Sequence, residues 1–338
     1  MTEQTDYIEP PEQGVYPDVP MDTYHRWDAC SQSQLKKLAE SPAHLEAYRR
    51  EAFDDTESLK LGRIIHFAIL QPDLFDERFT VLGRCQATKG DGDQCTYNAK
   101  YVTADGMHLC GTHGSEEQHD DSIHVVKEKQ MDVVERIRES VRNSDKVKDL
   151  IHVDGRKPEF SIVWEDTHWC DKHEKGEGER ECDQCITCRA RFDQYTDQIP
   201  GGAAVDVKST SRGADWQSFR KQIGRHKYYW QEVFYRRGIE ELGRDLDKFV
   251  FVAVETNEPF GVAPYMIDDK QALTDAEGTI NDLLYEYRAC MTNERFPYTP
   301  DKVRGISVPD WESDEMDRIR DEIASEFLPV IEQGGQDE

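Results

Sequence analysis

The feature that most restricts how this chain can fold is the run Val205-Asp206-Val207-Lys208, preceded by the turn residues Pro200-Gly201-Gly202. On a strand, alternate side chains face opposite ways. Val205 and Val207 therefore point into a core, while Asp206 and Lys208 share the other face. Two charged side chains at that spacing, between β-branched neighbours, are hard to justify as packing. Upstream, Arg191-Phe192-Asp193-Gln194-Tyr195 ends a second strand, and residues 196–202 supply a hairpin turn. Pairing the two strands brings Asp193 beside Asp206. Two adjacent carboxylates repel unless a cation neutralises them, and a hard divalent ion with oxygen ligands suits the pair. A lysine beside such an ion can hold the attacking water and stabilise negative charge developing on a phosphate. Glu159, opening an earlier strand, and His66, in the helix containing Gly62-Arg63-Ile64-Ile65-His66, are further candidate ligands. On spacing alone, a surface ion pair between Asp206 and Lys208 explains the pattern equally well.

The surrounding periodicity gives the frame. Residues Ser31–Arg50 read as helix broken near Ser41-Pro42, and Glu57–Leu70 as a second, largely buried helix. Another helix runs from about Val125 to Asn143. Strand-like runs follow at Glu159–Trp164, Ile186–Tyr195, Ala203–Thr210, Phe249–Glu255 and Val262–Ile267. A long helical stretch, Trp216–Leu242, separates the third from the fourth, and a helix covers Ala272–Thr292. The expected fold is α/β (α+β), a mixed central sheet flanked by helices. This core domain would span 21–300. An acidic, Pro-rich disordered tail at 1–20 and a segment from 301 with one amphipathic helix near Trp311–Ile331 flank it. No stretch of about 18 apolar residues or secretion-signal pattern occurs, so a cytoplasmic protein without membrane contact is expected.

These residues resemble the PD-(D/E)XK signature of RecB-type and RecE-type nucleases: Asp193, then Asp206-Val207-Lys208. The likeness continues through Tyr24, Ser31-Gln32-Ser33-Gln34-Leu35-Lys36, Leu61-Gly62-Arg63-Ile64-Ile65-His66, Glu159, Gln231 with Tyr235, and Phe249–Glu255. The order and spacing are similar to the RecE-like family. The resemblance implies a restriction-endonuclease-like core in which Asp193 and Asp206 bind Mg²⁺ or Mn²⁺, His66 completes or borders the site, and Lys208 acts on the water. Gln231 and Tyr235, four apart on one helical face, would orient the catalytic groups or the DNA backbone.

A net charge of −27 at first opposes nucleic-acid binding. A halophilic source, where a dense acidic surface keeps proteins soluble and salt screens repulsion, is the competing explanation. Local distribution favours it: residues 212–237 carry seven Lys or Arg against two acids. Arg220, Lys221, Arg225, Lys227, Arg236 and Arg237 are the candidate phosphate contacts.

Nine cysteines without a secretion signal suggest metal binding rather than disulfides. Cys85, Cys95, Cys110 and His113 form one quartet in a polar insert at 84–119. Cys170, His173, Cys182 and Cys185 form a second at 167–187, with two ligand pairs at x2 spacing. Thiolate and imidazole quartets suit tetrahedral structural Zn²⁺; an iron–sulfur cluster is the competing reading.

The function expected is a Mg²⁺-dependent deoxyribonuclease, by resemblance a duplex-end exonuclease in recombination. Its partners would be double-stranded DNA ends, a single-strand annealing protein or recombinase, and further copies of itself as a homo-oligomer. The alternatives are an endonuclease of the same fold and a non-catalytic zinc-bearing DNA-binding module.

Overall fold

In the computed structural model, which describes residues 6–51, 56–119, 124–167, 185–298, 315, 316, 318 and 320, strands form where β-branched and aromatic residues concentrate. They are β1 (Gly14–Tyr16), β2 (Phe79–Leu82), β3 (Tyr101–Val102), β4 (His108–Leu109), β5 (His124–Lys127), β6 (Lys157–Asp166), β7 (Ile186–Thr196), β8 (Ala203–Thr210), β9 (Lys248–Glu255) and β10 (Val262–Tyr265). The helices are α1 (Met21–Arg26), α2 (Gln32–Glu40), α3 (Pro42–Arg50), α4 (Glu57–Leu70), α5 (Pro72–Arg78), α6 (Glu128–Asn143), α7 (Asp145–Ile151), α8 (Trp216–His226), α9 (Tyr228–Glu241) and α10 (Lys270–Asn293).

Six strands make one sheet in the order β1-β6-β7-β8-β9-β10. All neighbours are antiparallel except β8 and β9, which α8 and α9 join as a crossover. Alternation on β8 is as expected. Val205 and Val207 pack with Ile65 of α4 and Ile137 of α6, level with Val250 and Val252 of β9. Phe160, Phe192, Phe249 and Phe251 belong to the other core, with Leu35, Phe234 and Leu284 from α2, α9 and α10. The chain thus builds the mixed sheet with helices on both faces.

Local chemistry sets the helix ends. Ser41 ends α2 and caps α3, its Oγ accepting from the His44 N–H at 3.3 Å, and Pro42 takes the first helical position. The stretch expected as one helix from Trp216 to Leu242 is two, because Lys227 adopts left-handed backbone (φ 53°, ψ 48°) and redirects the chain. The helix expected from Val125 begins at Glu128. Val125 and Val126, β-branched, extend instead and pair in parallel with Thr80 and Val81.

The expectation of a structureless 1–20 fails at Gly14–Tyr16. There β1 pairs with β6, Val15 packs against the main core, and the Tyr16 ring lies 5.9 Å from that of Trp27. The ladder with β6 and the packing of Val15, Tyr16, Ile8 and Val19 hold this segment among its acidic neighbours.

Residues 1–296 form one compact unit and 297–338 a second. Of the expected Trp311–Ile331 helix only residues 315, 316, 318 and 320 are described, and these are helical. No helix among the described residues is long and apolar enough to cross a membrane.

Candidate active site

The turn after β7 needs glycine: Gly202 has φ +68°, and a Cβ there would stand 2.0 Å from the Asp245 carbonyl. Beyond it β7 and β8 pair only from Thr196↔Ala203 to Gln194↔Val205. Past the ladder, the Val207 N–H donates to Asp193 Oδ2 at 2.7 Å. Strand alternation breaks at this point, for Phe192 and Tyr195, three apart, enter the same core. On the neighbouring strand Glu159 has φ +49°. Left-handed backbone costs a residue with a β-carbon roughly 1–2 kcal/mol, and such strain collects at functional sites.

Asp193 and Glu159 thereby meet His66 from α4. His66 Nδ1 lies 3.3 Å from Asp193 Oδ2, and one donor atom from each of His66, Glu159 and Asp193 falls within 4.8 Å of the others. Gly62 allows this approach, since a Cβ there would already be 3.3 Å from Ser209 Oγ on β8. Arg191 Nε donates to Glu159 Oε2 at 3.1 Å, and its NH1 to the Val19 carbonyl at 2.7 Å.

Asp206 lies next to this trio and is held by Lys208 and Gln231. Its Oδ2 lies 2.5 Å from Lys208 Nζ, and its Oδ1 accepts from Gln231 Nε2 at 2.6 Å. Lys208 Nζ donates to Gln231 Oε1 at 2.9 Å and stands 4.9 Å over the Tyr228 ring. A buried carboxylate gains most from a cation at hydrogen-bond distance, and β8 supplies one two residues on. Gln231 closes the triangle. Tyr235, one turn later, packs its ring 4.8 Å from Phe192, and burial pushes its hydroxyl well above the usual range.

The electrostatics favour a cation in this place. Burial pushes Asp206 and Glu159 up, Asp193 adds to both shifts, and Asp193 itself is held low against burial by His66. Burial would lower the His66 imidazole, but Asp193, Glu159 and Asp206 outweigh it and bring it up to about 9. Three carboxylates and an imidazole form the donor set of a hard divalent ion. His66, Glu159 and Asp193 would hold it, with Asp206 adjoining.

Two residues here were given no individual role by the sequence, although Lys36 falls within the Ser31–Lys36 segment of the resemblance. Arg191 belongs to a strand otherwise read for its apolar positions. Lys36, in α2, is pushed down to about 8 by burial and by Lys208 and Lys227, with Asp206 opposing. Folding therefore disfavours its charge. The penalty is complete below about pH 8 and disappears as pH rises toward 10.5, where the unfolded chain also loses the proton. Lys36→Met should stabilise the protein by about 2 kcal/mol at pH 7, after discounting for partial exposure. The gain should shrink at pH 9.5. Urea unfolding at both values checks this, and an unchanged or lower stability at pH 7 would contradict it.

The basic segment divides. Arg220, Lys221 and Arg225 are exposed on α8, and Lys227 lies half-buried with Nζ 4.1 Å over the Trp230 ring. Arg237 is not available to phosphate as expected, and Arg236 is half-buried in an ion pair. Arg236 pairs with Glu232 at 3.0 Å and donates to the Leu246 carbonyl. Arg237 is buried against Asp166 at 3.3 Å and also donates to Asn281. A cavity of about 930 Å³ instead joins His66, Glu159 and Arg191 to Lys60, Arg63 and Arg78 on α4 and α5.

The first cysteine quartet converges. Cys85 Sγ lies 3.5 Å from His113 Nδ1, Cys110 Sγ 3.4 Å from the same nitrogen, and the Cys95 and Cys110 sulfurs are 3.8 Å apart. Burial would raise the Cys110 thiol, but the Thr112 and His113 N–H groups, with Cys85 and His113, bring it down to about 6. In the second quartet Cys185 is half-buried, and Cys170, His173 and Cys182 lie outside the described residues. Cys188 is fully buried on β7 beside Cys30.

A mixed sheet whose β6, β7 and β8 carry Glu159, Asp193, Asp206 and Lys208 defines a domain of the PD-(D/E)XK nuclease type. Residues 31–306 match the family described as "PDDEXK-like domain of unknown function (DUF3799)", and the chain belongs to that family. Among solved structures, one named "putative exonuclease" from Eubacterium rectale is 13% identical, with a TM-score of 0.45 over 84% of this chain and 92% of that one. Another, SSO0001, is 9% identical, with a TM-score of 0.24 over 45% of this chain and 70% of that one. Neither likeness carries an argument about activity. No curated protein matches the chain.

Proposed function

We propose that this protein is a Mg²⁺- or Mn²⁺-dependent deoxyribonuclease that degrades duplex DNA from its ends, as RecE-like enzymes do. The observation that supports this reading best is the juxtaposition of His66, Glu159 and Asp193, within 4.8 Å of one another, with the buried Asp206–Lys208–Gln231 triangle. A divalent ion held by His66, Glu159 and Asp193 would supply positive charge to polarise a phosphodiester and to acidify a water. Arg191 fixes the Glu159 carboxylate. Lys208, held by Asp206 and Gln231 and kept protonated against burial by Asp206 and Asp193, carries a positive charge toward charge developing on phosphate. Lys60, Arg63 and Arg78 on the cavity wall, with Arg220, Lys221 and Arg225, would meet the DNA backbone. Structural Zn²⁺ in each cysteine quartet completes the metal content. A single-strand annealing protein or recombinase, a homo-oligomeric assembly and a reducing cytoplasm fit an end-resecting role.

Linear duplex DNA should be degraded in Mg²⁺ while covalently closed plasmid survives, and chelator should stop the reaction. Rapid linearisation of closed plasmid would move the protein to the endonucleases. Intact linear and closed DNA with either ion, at low and high salt, would leave a DNA-binding module.

A further inference from the structure

The residues 84–119 have almost no apolar core of their own. Their buried cluster is Cys85, Cys95, Leu109 and Cys110, with Ala87 against it, and their strands β3 and β4 are two residues each. Segments of this size and composition hold a fold only with a staple. A disulfide is not that staple, for it would need sulfurs about 2 Å apart and the Cys95 and Cys110 sulfurs are 3.8 Å apart. Tetrahedral zinc, with bonds of about 2.3 Å to sulfur and 2.0 Å to nitrogen, sets sulfur–sulfur edges near 3.8 Å and sulfur–nitrogen edges near 3.5 Å. The observed edges are 3.8, 3.5 and 3.4 Å. An iron–sulfur cluster spreads its four protein ligands over two or four irons and holds them apart, whereas these four converge on one point.

The placement of this knuckle gives the ion a further consequence. The knuckle follows β2, which ends at Leu82, and its described part ends at His119, and both residues line the cavity that reaches His66 and Glu159. It is tied at both ends. The Gly83 N–H donates to His108 Nδ1 at 3.3 Å, and the Val102 N–H to His119 Nδ1 at 3.2 Å. The geometry points to a Zn²⁺ site formed by Cys85, Cys95, Cys110 and His113 that fixes one wall of the substrate cavity. The zinc site stands independently of the nuclease reading; its effect on DNA rests on that reading.

The full chain should lose one zinc atom relative to wild type, by elemental analysis, when Cys95 and Cys110 are both changed to serine. Its KM for DNA should rise roughly tenfold, about what one lost contact costs, with kcat at saturation nearly kept. His119→Ala leaves the quartet intact. It should therefore keep wild-type zinc and raise KM in the same way, which holds the idea to account even if the double variant does not fold. Equal zinc in wild type and a folded double variant, or no zinc in wild type, overturns the site. Unchanged KM in His119→Ala overturns its link to the cavity. Zinc-loaded wild type that cleaves no DNA would instead remove the nuclease reading and leave the zinc site standing.

Discussion

Lys208→Met should reduce DNA cleavage by on the order of 10³ without unfolding the protein. Methionine keeps most of the length and loses the charge. In the native site Lys208 Nζ lies 2.5 Å from Asp206 Oδ2 and 2.9 Å from Gln231 Oε1, so the substitution removes the nearest cation from a buried carboxylate. Burial already pushes Asp206 up, and Lys208 is the largest influence opposing it. The variant's Asp206 should therefore hold a proton to a higher pH. Mn²⁺ binding should survive, because His66, Glu159 and Asp193 supply the ligand atoms and the amine supplies none. Cleavage and Mn²⁺ titration in parallel test both halves. Activity within tenfold of wild type would falsify the role given to Lys208, and loss of the ion would make the lysine part of the ion site instead.

The residues of that triangle were legible because their spacings are local, whereas their contacts with one another were not. Asp206 and Lys208 are two apart on a strand whose valines announce the buried face, and Gln231 and Tyr235 are four apart on a helix. The junction of His66, Glu159 and Asp193 was legible only as a set of residue types. Its geometry depends on a left-handed Glu159 and on strands that part at Asp193, and neither leaves a pattern in the amino-acid order. The cysteine quartet at 85–113 was readable because ligand chemistry needs only the right atoms on short turns. The cavity's basic residues were not, since Lys60, Arg63 and Arg78 come from separate turns and only the fold assembles them. Counting charge along 212–237 misled in a different way. It treated a helix as a surface, although the period of α9 sets Arg237 with Trp230 and Phe234 on the buried side.

Arg237 is therefore where the two readings of that segment diverge most. As a phosphate contact, its loss would weaken DNA binding and lower the salt dependence by about one unit, with stability unchanged. In the structure it is 4% exposed, 3.3 Å from the fully buried Asp166 on β6. Beside it Gly238 packs so tightly that a Cβ would fall 2.8 Å from the Trp164 ring, so α9 has no freedom to turn the arginine outward. Arg237→Met should then cost about 3–5 kcal/mol, because it strands a carboxylate among apolar side chains. Against a typical total of about 5–15 kcal/mol, that leaves a marginal protein. Changing Asp166 to leucine in the same chain should recover most of the loss, since replacing both members of a buried pair removes the uncompensated charge. Urea unfolding of wild type, Arg237→Met and the double variant measures this, alongside the salt dependence of DNA binding. A stable single variant with a reduced salt dependence would return Arg237 to the DNA-binding face.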